Sequence, residues 1–278
     1  MQDAFSHCAE LVRAADRDRF IASLFAPADR RPALQALYAF DAEVARVREV
    51  AHTALPGEIR LQWWSEAIAR ERDGEANANP VASALLASME KFQLRRELLL
   101  DLIEARRFDL YEDPMPTLAE LETYLRRTAS SLVSLAATIL AGAEFEAVTA
   151  PAGIASGLAQ ALRAFPLHVA RQQLFLPVDM LERHKVHLHD VFAGRSSPGL
   201  AAAFAELRDA ARRHLATAGQ ELKALPHQVV PALLPLAVVR PWLDRSERRD
   251  PFTPVELAPW RRQWLIWRAA RNPDRIAG

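Results

Sequence analysis

Apolar residues recur at steps of three and four along nearly all of this 278-residue chain, and no stretch alternates over strand lengths. That pattern restricts the fold to helices that bury one face each. Leu37, Phe40, Val44, Val47 and Ala51 form one such stripe. Thr117 with Glu120 three residues on is a capping box, which predicts a helix running through Leu140. Residues 94–110 and 202–222 read the same way. Helix breakers fall at Pro56-Gly57, from Asp73-Gly74 to Pro80, from Asp113 to Pro116, from Ser196 to Gly199, at Pro226 and from Asp250 to Pro254. The expectation is about eight to twelve helices joined by short polar links. No internal repeat, low-complexity tract or long linker divides the chain, so one all-α domain over residues 1–278 is expected.

Basic and acidic residues number 35 each, so net charge gives no reason to expect nucleic acid or an anionic membrane as the default partner. Cys8 is the only cysteine, which excludes an internal disulfide and a cysteine-based zinc site. A reducing, cytoplasmic setting suits such a chain. The start lacks the apolar run of a secretory signal. The longest apolar run, LVSLAATILAGA from Leu132, falls short of the roughly 20 residues that span a bilayer. The expectation is a soluble or peripheral protein.

Two clusters invite chemistry and have plainer readings. His184, His187, His189 and Asp190 offer metal-ligand types, but the spacing does not bring the imidazoles onto one helical face, and the segment reads as a polar connection. His214 beside Arg212 and Arg213 reads as a surface group. Six tryptophans, among them Trp63-Trp64 and the Trp260, Trp264, Trp267 set, read as core and helix-packing groups, with an aromatic cage as the alternative. No nucleophile elbow, P-loop, dinucleotide fingerprint or H-E-x-x-H occurs.

Several stretches together, FIASLFAPADRRPALQALYAF, EIRLQWWSEAI, LLDLIEARRFDLYEDPMPTLAELETYLRRTASSLVSLAATILAG and GLAQALRAFPLHVARQQLFLPVDML among them, resemble the squalene/phytoene synthase family. The resemblance runs in the family's order over residues 17–235, with further helices to 270. It implies an isoprenoid-synthase-like helical bundle around a central cavity. It also implies the joining of prenyl diphosphates, with two aspartate-rich segments holding Mg²⁺ against the departing diphosphate.

Where the family carries its first acidic segment, aligning Tyr38, Ala39 and Phe40 puts Ala45, Arg46 and Glu49 at the aspartate positions and Ala42 at an arginine position. The second segment is anchored by Leu162-Arg163 in front and Phe175-Leu176-Pro177 behind. Its acid positions then hold Ala164, Leu167 and His168, and Pro166 is expected to interrupt the helix between them. One carboxylate of six survives, and Arg46 and Arg48 add positive charge where cations would sit.

Departures of this kind resemble the branch of the family that includes the mitochondrial assembly factor for respiratory complex I. That resemblance implies a non-catalytic scaffold with no metal and no cofactor. Its partners would be a complex I subunit or assembly intermediate, or an isoprenoid or quinone lipid, with peripheral contact on the inner face of the membrane. Candidate contacts are Asp41, Arg46, Arg48, Glu49, Arg163 and Arg171. On a continuous helix Asp41, Ala45, Arg48, Glu49 and His52 would share a polar face, with Glu43 beside Arg46. The alternative is a Mg²⁺-dependent or arginine-assisted prenyltransferase, since guanidinium groups bind diphosphate in bidentate fashion.

Overall fold

The computed structural model describes residues 2–51 and 53–278. Its described residues form an all-α bundle. The first half contains α1 (Gln2–Ala15), α2 (Arg17–Ser23), α3 (Arg31–Ala45), α4 (Val47–Ala51), α5 (Ala54–Ala69), α6 (Asp73–Ala78), α7 (Pro80–Phe92) and α8 (Arg96–Arg106). The second contains α9 (Leu118–Leu125), α10 (Ser131–Ala141), α11 (Glu146–Ala170), α12 (Val178–Arg183), α13 (Leu188–Phe192), α14 (Pro198–Glu221), α15 (Val230–Leu233), α16 (Val239–Ser246) and α17 (Pro259–Arg271). Several of these are single turns, which is why they outnumber the helices the periodicity suggests.

Two apolar clusters hold the bundle. One joins α1, α3, α5, α7 and α8 through Val12, Leu34, Leu37, Phe40, Leu61, Leu85 and Leu99. Burying side chains of this size contributes about 1.5–3 kcal/mol each, and Phe40 also meets Trp64 edge-on at 5.2 Å between ring centroids. The other cluster joins α11 and α14, the long antiparallel pair, through Leu158, Leu162, Phe165, Leu207 and Leu215. Helix α10 serves both, giving Leu132, Leu135 and Ile139 to the first and Ala137 to the second.

Local signals mark several helix starts. The Thr117 hydroxyl accepts the Glu120 amide at 3.2 Å, as a capping box requires. Asn79 caps α7 and Ser197 caps α14, each ahead of a proline at the first helical position. Three expectations need correction. Pro56-Gly57 lies inside α5, because a proline early in a helix loses no internal bond. Pro166 does not interrupt α11, which runs through both Pro151 and Pro166. Proline deprives the Leu162 carbonyl of a partner, but packing of α11 against α14 carries the helix onward. The helix opened by Thr117 passes through a π-helical turn at Arg126–Ser130 before resuming as α10.

That turn packs tightly on α11. A Cβ at Gly153 would come within 2.3 Å of the Ser130 backbone, and the Ser130 hydroxyl donates to the Ala150 carbonyl at 2.8 Å. Cys8 is fully buried, and burial, with Glu43 nearby, pushes its thiol up to about 12. It is an inert packing group.

Candidate functional site

The stripe Leu37, Phe40, Val44 and Val47 is buried, and α3 is enclosed on most sides, with Leu34, Tyr38, Ala39 and Asp41 buried as well. The chain does not stay helical across α3 and α4. At Arg46 the backbone turns out of the α-region, ending α3, and α4 starts afresh at Val47. This break removes the single polar face that a continuous helix would give. Asp41 is buried at 5% exposure, whereas Arg46 is exposed. His52 lies outside the described residues. Arg46 reaches forward to Glu49, Nε to Oε2 at 3.6 Å, rather than back to Glu43.

Glu49 also receives Arg171, Nη1 to Oε1 at 2.8 Å. Arg171 follows directly on α11, so this pair ties the first segment to the end of the second. Arg48 turns the other way and meets Glu112 at 3.4 Å.

Behind this rim is a buried polar cluster that sequence reasoning found only at Asp41. Asp41 accepts from Arg19 at 2.7 Å and pairs with Arg106 at 3.5 Å. Arg106 donates to the Tyr124 hydroxyl at 2.9 Å and to Asp109 at 3.2 Å. Tyr124 in turn donates to Asp109 at 2.7 Å, and Gln173 closes the ring on the Asp109 carbonyl at 2.7 Å. Burial pushes the Asp109 carboxyl up, against the pull of Arg106. Burial works to lower the Arg106 guanidinium, but Tyr124, Asp109 and Asp41 outweigh it and raise it. The Arg106 Nε is buried without a hydrogen-bond partner among the described residues. The signal for this cluster was the charge-rich EARRFDLYED stretch, whose residues give no clue to their burial.

On the second segment Ala164 and Arg163 are half-buried and Leu167 is exposed. Arg163 donates to Gln160 one turn back. His168 lies against Phe175, 4.7 Å between ring centroids, and burial, helped by Arg171 and Arg106, lowers its imidazole to about 4. A neutral imidazole is therefore its form at pH 7.

Magnesium takes oxygen ligands in octahedral array, mainly carboxylates, phosphates and waters. Ala45, Arg46, Ala164, Leu167 and His168 supply no carboxylate, and Glu49 is held between two guanidinium groups. Among the described residues no group of three or more His, Cys, Asp or Glu is placed to hold a metal ion. The donor set at these positions does not fit a magnesium cluster.

A hollow of about 370 Å³ opens beside the first segment, lined by Ala42, Glu43, Arg46, Arg60, Trp63 and Trp64 among others. It takes no residue from α11. Burial pushes the Glu43 carboxyl up there, against His7, Arg60 and Arg46.

The histidine cluster is also accounted for. His184 pairs with Glu206 at 3.0 Å, and His189 is 82% exposed beside Asp190. His214 is not a free surface group, since it pairs with Glu122 at 3.0 Å. Of the tryptophans, Trp64 and Trp242 are core residues, but Trp260, Trp264 and Trp267 are exposed, because Leu265, Ile266 and Ala269 take the core-facing side of α17.

The squalene/phytoene synthase family model matches residues 12–268, nearly the whole chain. The chain belongs to this family. It is 29% identical over 250 residues to the complex I assembly factor 6 of Rattus norvegicus, covering 89% of this chain and 75% of that protein. It is also 29% identical over 280 residues to a phytoene synthase of Thermus thermophilus, covering 96% and 94%. In fold it is similar to a dehydrosqualene synthase crystallised with a ligand, at a TM-score of 0.84 over 97% of this chain and 96% of that one, with 17% identity. The bundle is thus the isoprenoid-synthase fold. Among the described residues no helix is long and apolar enough to cross a membrane.

Proposed function

We propose that this member of the squalene/phytoene synthase family is a non-catalytic assembly or scaffold factor for respiratory complex I. The observation that carries the reading is the Glu49–Arg171 ion pair. Ionising an allylic diphosphate requires cations where negative charge gathers on the leaving group. Here the one acid left at the six positions is neutralised by protein cations, and the facing segment has no acid to offer. The similarity to complex I assembly factor 6 supports the same reading. It fits a cytoplasmic or peripheral protein that needs no metal or cofactor, contacts a complex I subunit or intermediate, or an isoprenoid or quinone lipid, and does not bind nucleic acid.

Similarity to a phytoene synthase favours the second reading, a prenyltransferase acting on isoprenyl diphosphates. Arg46, Arg48 and Arg171 would then have to do the work of metals. Guanidinium groups hold diphosphate well, but each of these three is already paired to a carboxylate.

Two measurements decide between them. Deleting the gene and restoring it should toggle the amount of mature complex I on native gels. Purified protein with Mg²⁺ and farnesyl or geranylgeranyl diphosphate should release no diphosphate above background. Saturable turnover that disappears in Glu49→Gln would replace the scaffold reading by the transferase.

A further inference from the structure

Helix α17, PWRRQWLIWRAAR, is built the wrong way round for an ordinary surface helix. Its aliphatic residues Leu265, Ile266 and Ala269 face inward, and the largest apolar side chains face outward. At about 100° per residue Trp260, Trp264 and Trp267 fall within about 60° of arc, on the side opposite that core face. They are 70%, 46% and 44% exposed. Indoles bury 150–250 Å² each when they find a partner, and an outward row of three marks a contact surface.

The charge on this helix narrows the partner. It contains four arginines and no acid. Arg262 is used by the fold, donating through Nε to Asp18 at 3.1 Å. Arg261, Arg268 and Arg271 flank the tryptophan row and have no carboxylate partner among the described residues. Arg268 stacks over the Trp264 ring at 4.5 Å and Arg271 over the Trp267 ring at 4.3 Å. Two of the three guanidinium groups thus lie against indole faces, and the Arg268 Nε is buried there without a hydrogen-bond partner among the described residues.

An exposed aromatic row flanked by cations that have no carboxylate partner among the described residues fits a layer that is apolar below and anionic at its surface. Tryptophan favours the headgroup level of a bilayer, and arginine gains from anionic lipid. We infer that the outer face of α17 docks the protein peripherally on an anionic lipid bilayer, with the three indoles inserted at headgroup depth and Arg261, Arg268 and Arg271 on the lipid phosphates. The inference does not rest on the assembly role.

The test is co-sedimentation of the full protein with vesicles of phosphatidylcholine, with and without phosphatidylglycerol. Binding should need the anionic lipid and should weaken as salt rises. Arg261→Gln with Arg271→Gln should reduce affinity by about fivefold per arginine. Trp260→Ser with Trp264→Ser should reduce it at least about tenfold. Trp260→Ser alone, at the most exposed position, keeps the test valid if the double variant melts early. Equal binding to neutral vesicles, undiminished binding by the folded tryptophan variants, or no binding to either vesicle would each overturn the inference. So would capture of duplex DNA in preference to vesicles.

Discussion

Glu49 and Arg171 stand 122 positions apart in sequence and meet at 2.8 Å, joining the ends of the two segments that would carry metal in a synthase of this fold. Both side chains are partly open to solvent, 38% and 35% exposed. Screening at that exposure leaves such a pair worth about 0.2–1 kcal/mol. Glu49→Gln and Arg171→Ala should therefore each lower stability by less than about 1 kcal/mol in urea melts. A loss of several kcal/mol would mean that the pair is a structural bolt rather than the remnant of a released metal site.

The buried cluster behind it should behave differently. Tyr124 sits between Arg106 and Asp109 and bonds both. Tyr124→Phe removes the hydroxyl and leaves their direct 3.2 Å contact, so it should cost about 1–3 kcal/mol. Asp41→Asn takes a buried charge from between Arg19 and Arg106, and should cost about 2–4 kcal/mol, tempered by the acids those arginines retain in Asp16 and Asp109. Chemical denaturation of both variants checks the order. A smaller loss for Asp41→Asn than for Tyr124→Phe would show that the network does not depend on its charge balance.

His168 gives the fold a dependence on pH. The imidazole titrates near about 6.5 in the unfolded chain and at about 4 in the fold, chiefly through burial. Between these values the unfolded chain takes up a proton that the native chain refuses, so the slope favours the native state as pH rises. Its stability is full above about 6.5 and is lost as pH falls, levelling off below about 4. Asp18, Glu43 and Asp109 are raised by burial and act in the opposite sense. Comparing the protein with His168→Gln cancels those terms. The variant should lose less stability between pH 7 and pH 5, and parallel slopes would remove His168 as the cause.

The legible parts of this molecule were those set by local pattern. The Leu37, Phe40, Val44, Val47 stripe and the Thr117 cap depend on neighbours within one or two turns, and both appear as read. What escaped reading depends on contacts distant in sequence. Arg106, Asp109 and Tyr124 look like surface charge and a loose aromatic until α3 and the end of α11 close over them. Pro166 looks like a breaker because its lost hydrogen bond is visible in sequence, whereas the support α11 receives from α14 is not. The three tryptophans of α17 look in sequence like core or helix-packing groups because large apolar residues usually are buried. The helix already had an aliphatic face for that purpose.

The last expectation separates two arginines that stand two positions apart. Arg48 is only 17% exposed and reaches Glu112, so it belongs to the packing of α4 against the segment after α8. Arg46 is 59% exposed at the break between α3 and α4, holding Glu49 only loosely at 3.6 Å. A pair at that distance and exposure contributes little to folding, so Arg46 can leave Glu49 to Arg171 and meet an anionic group on a partner at negligible cost. Under the assembly reading, Arg46→Ala should melt like the parent protein yet lower the yield of mature complex I in cells lacking the native copy. Arg48→Ala should lower the melting temperature slightly and leave assembly unchanged once expression is matched. If Arg46→Ala restores assembly as well as the parent protein does, the partner does not bind at this rim, and its contact must be sought elsewhere on the bundle.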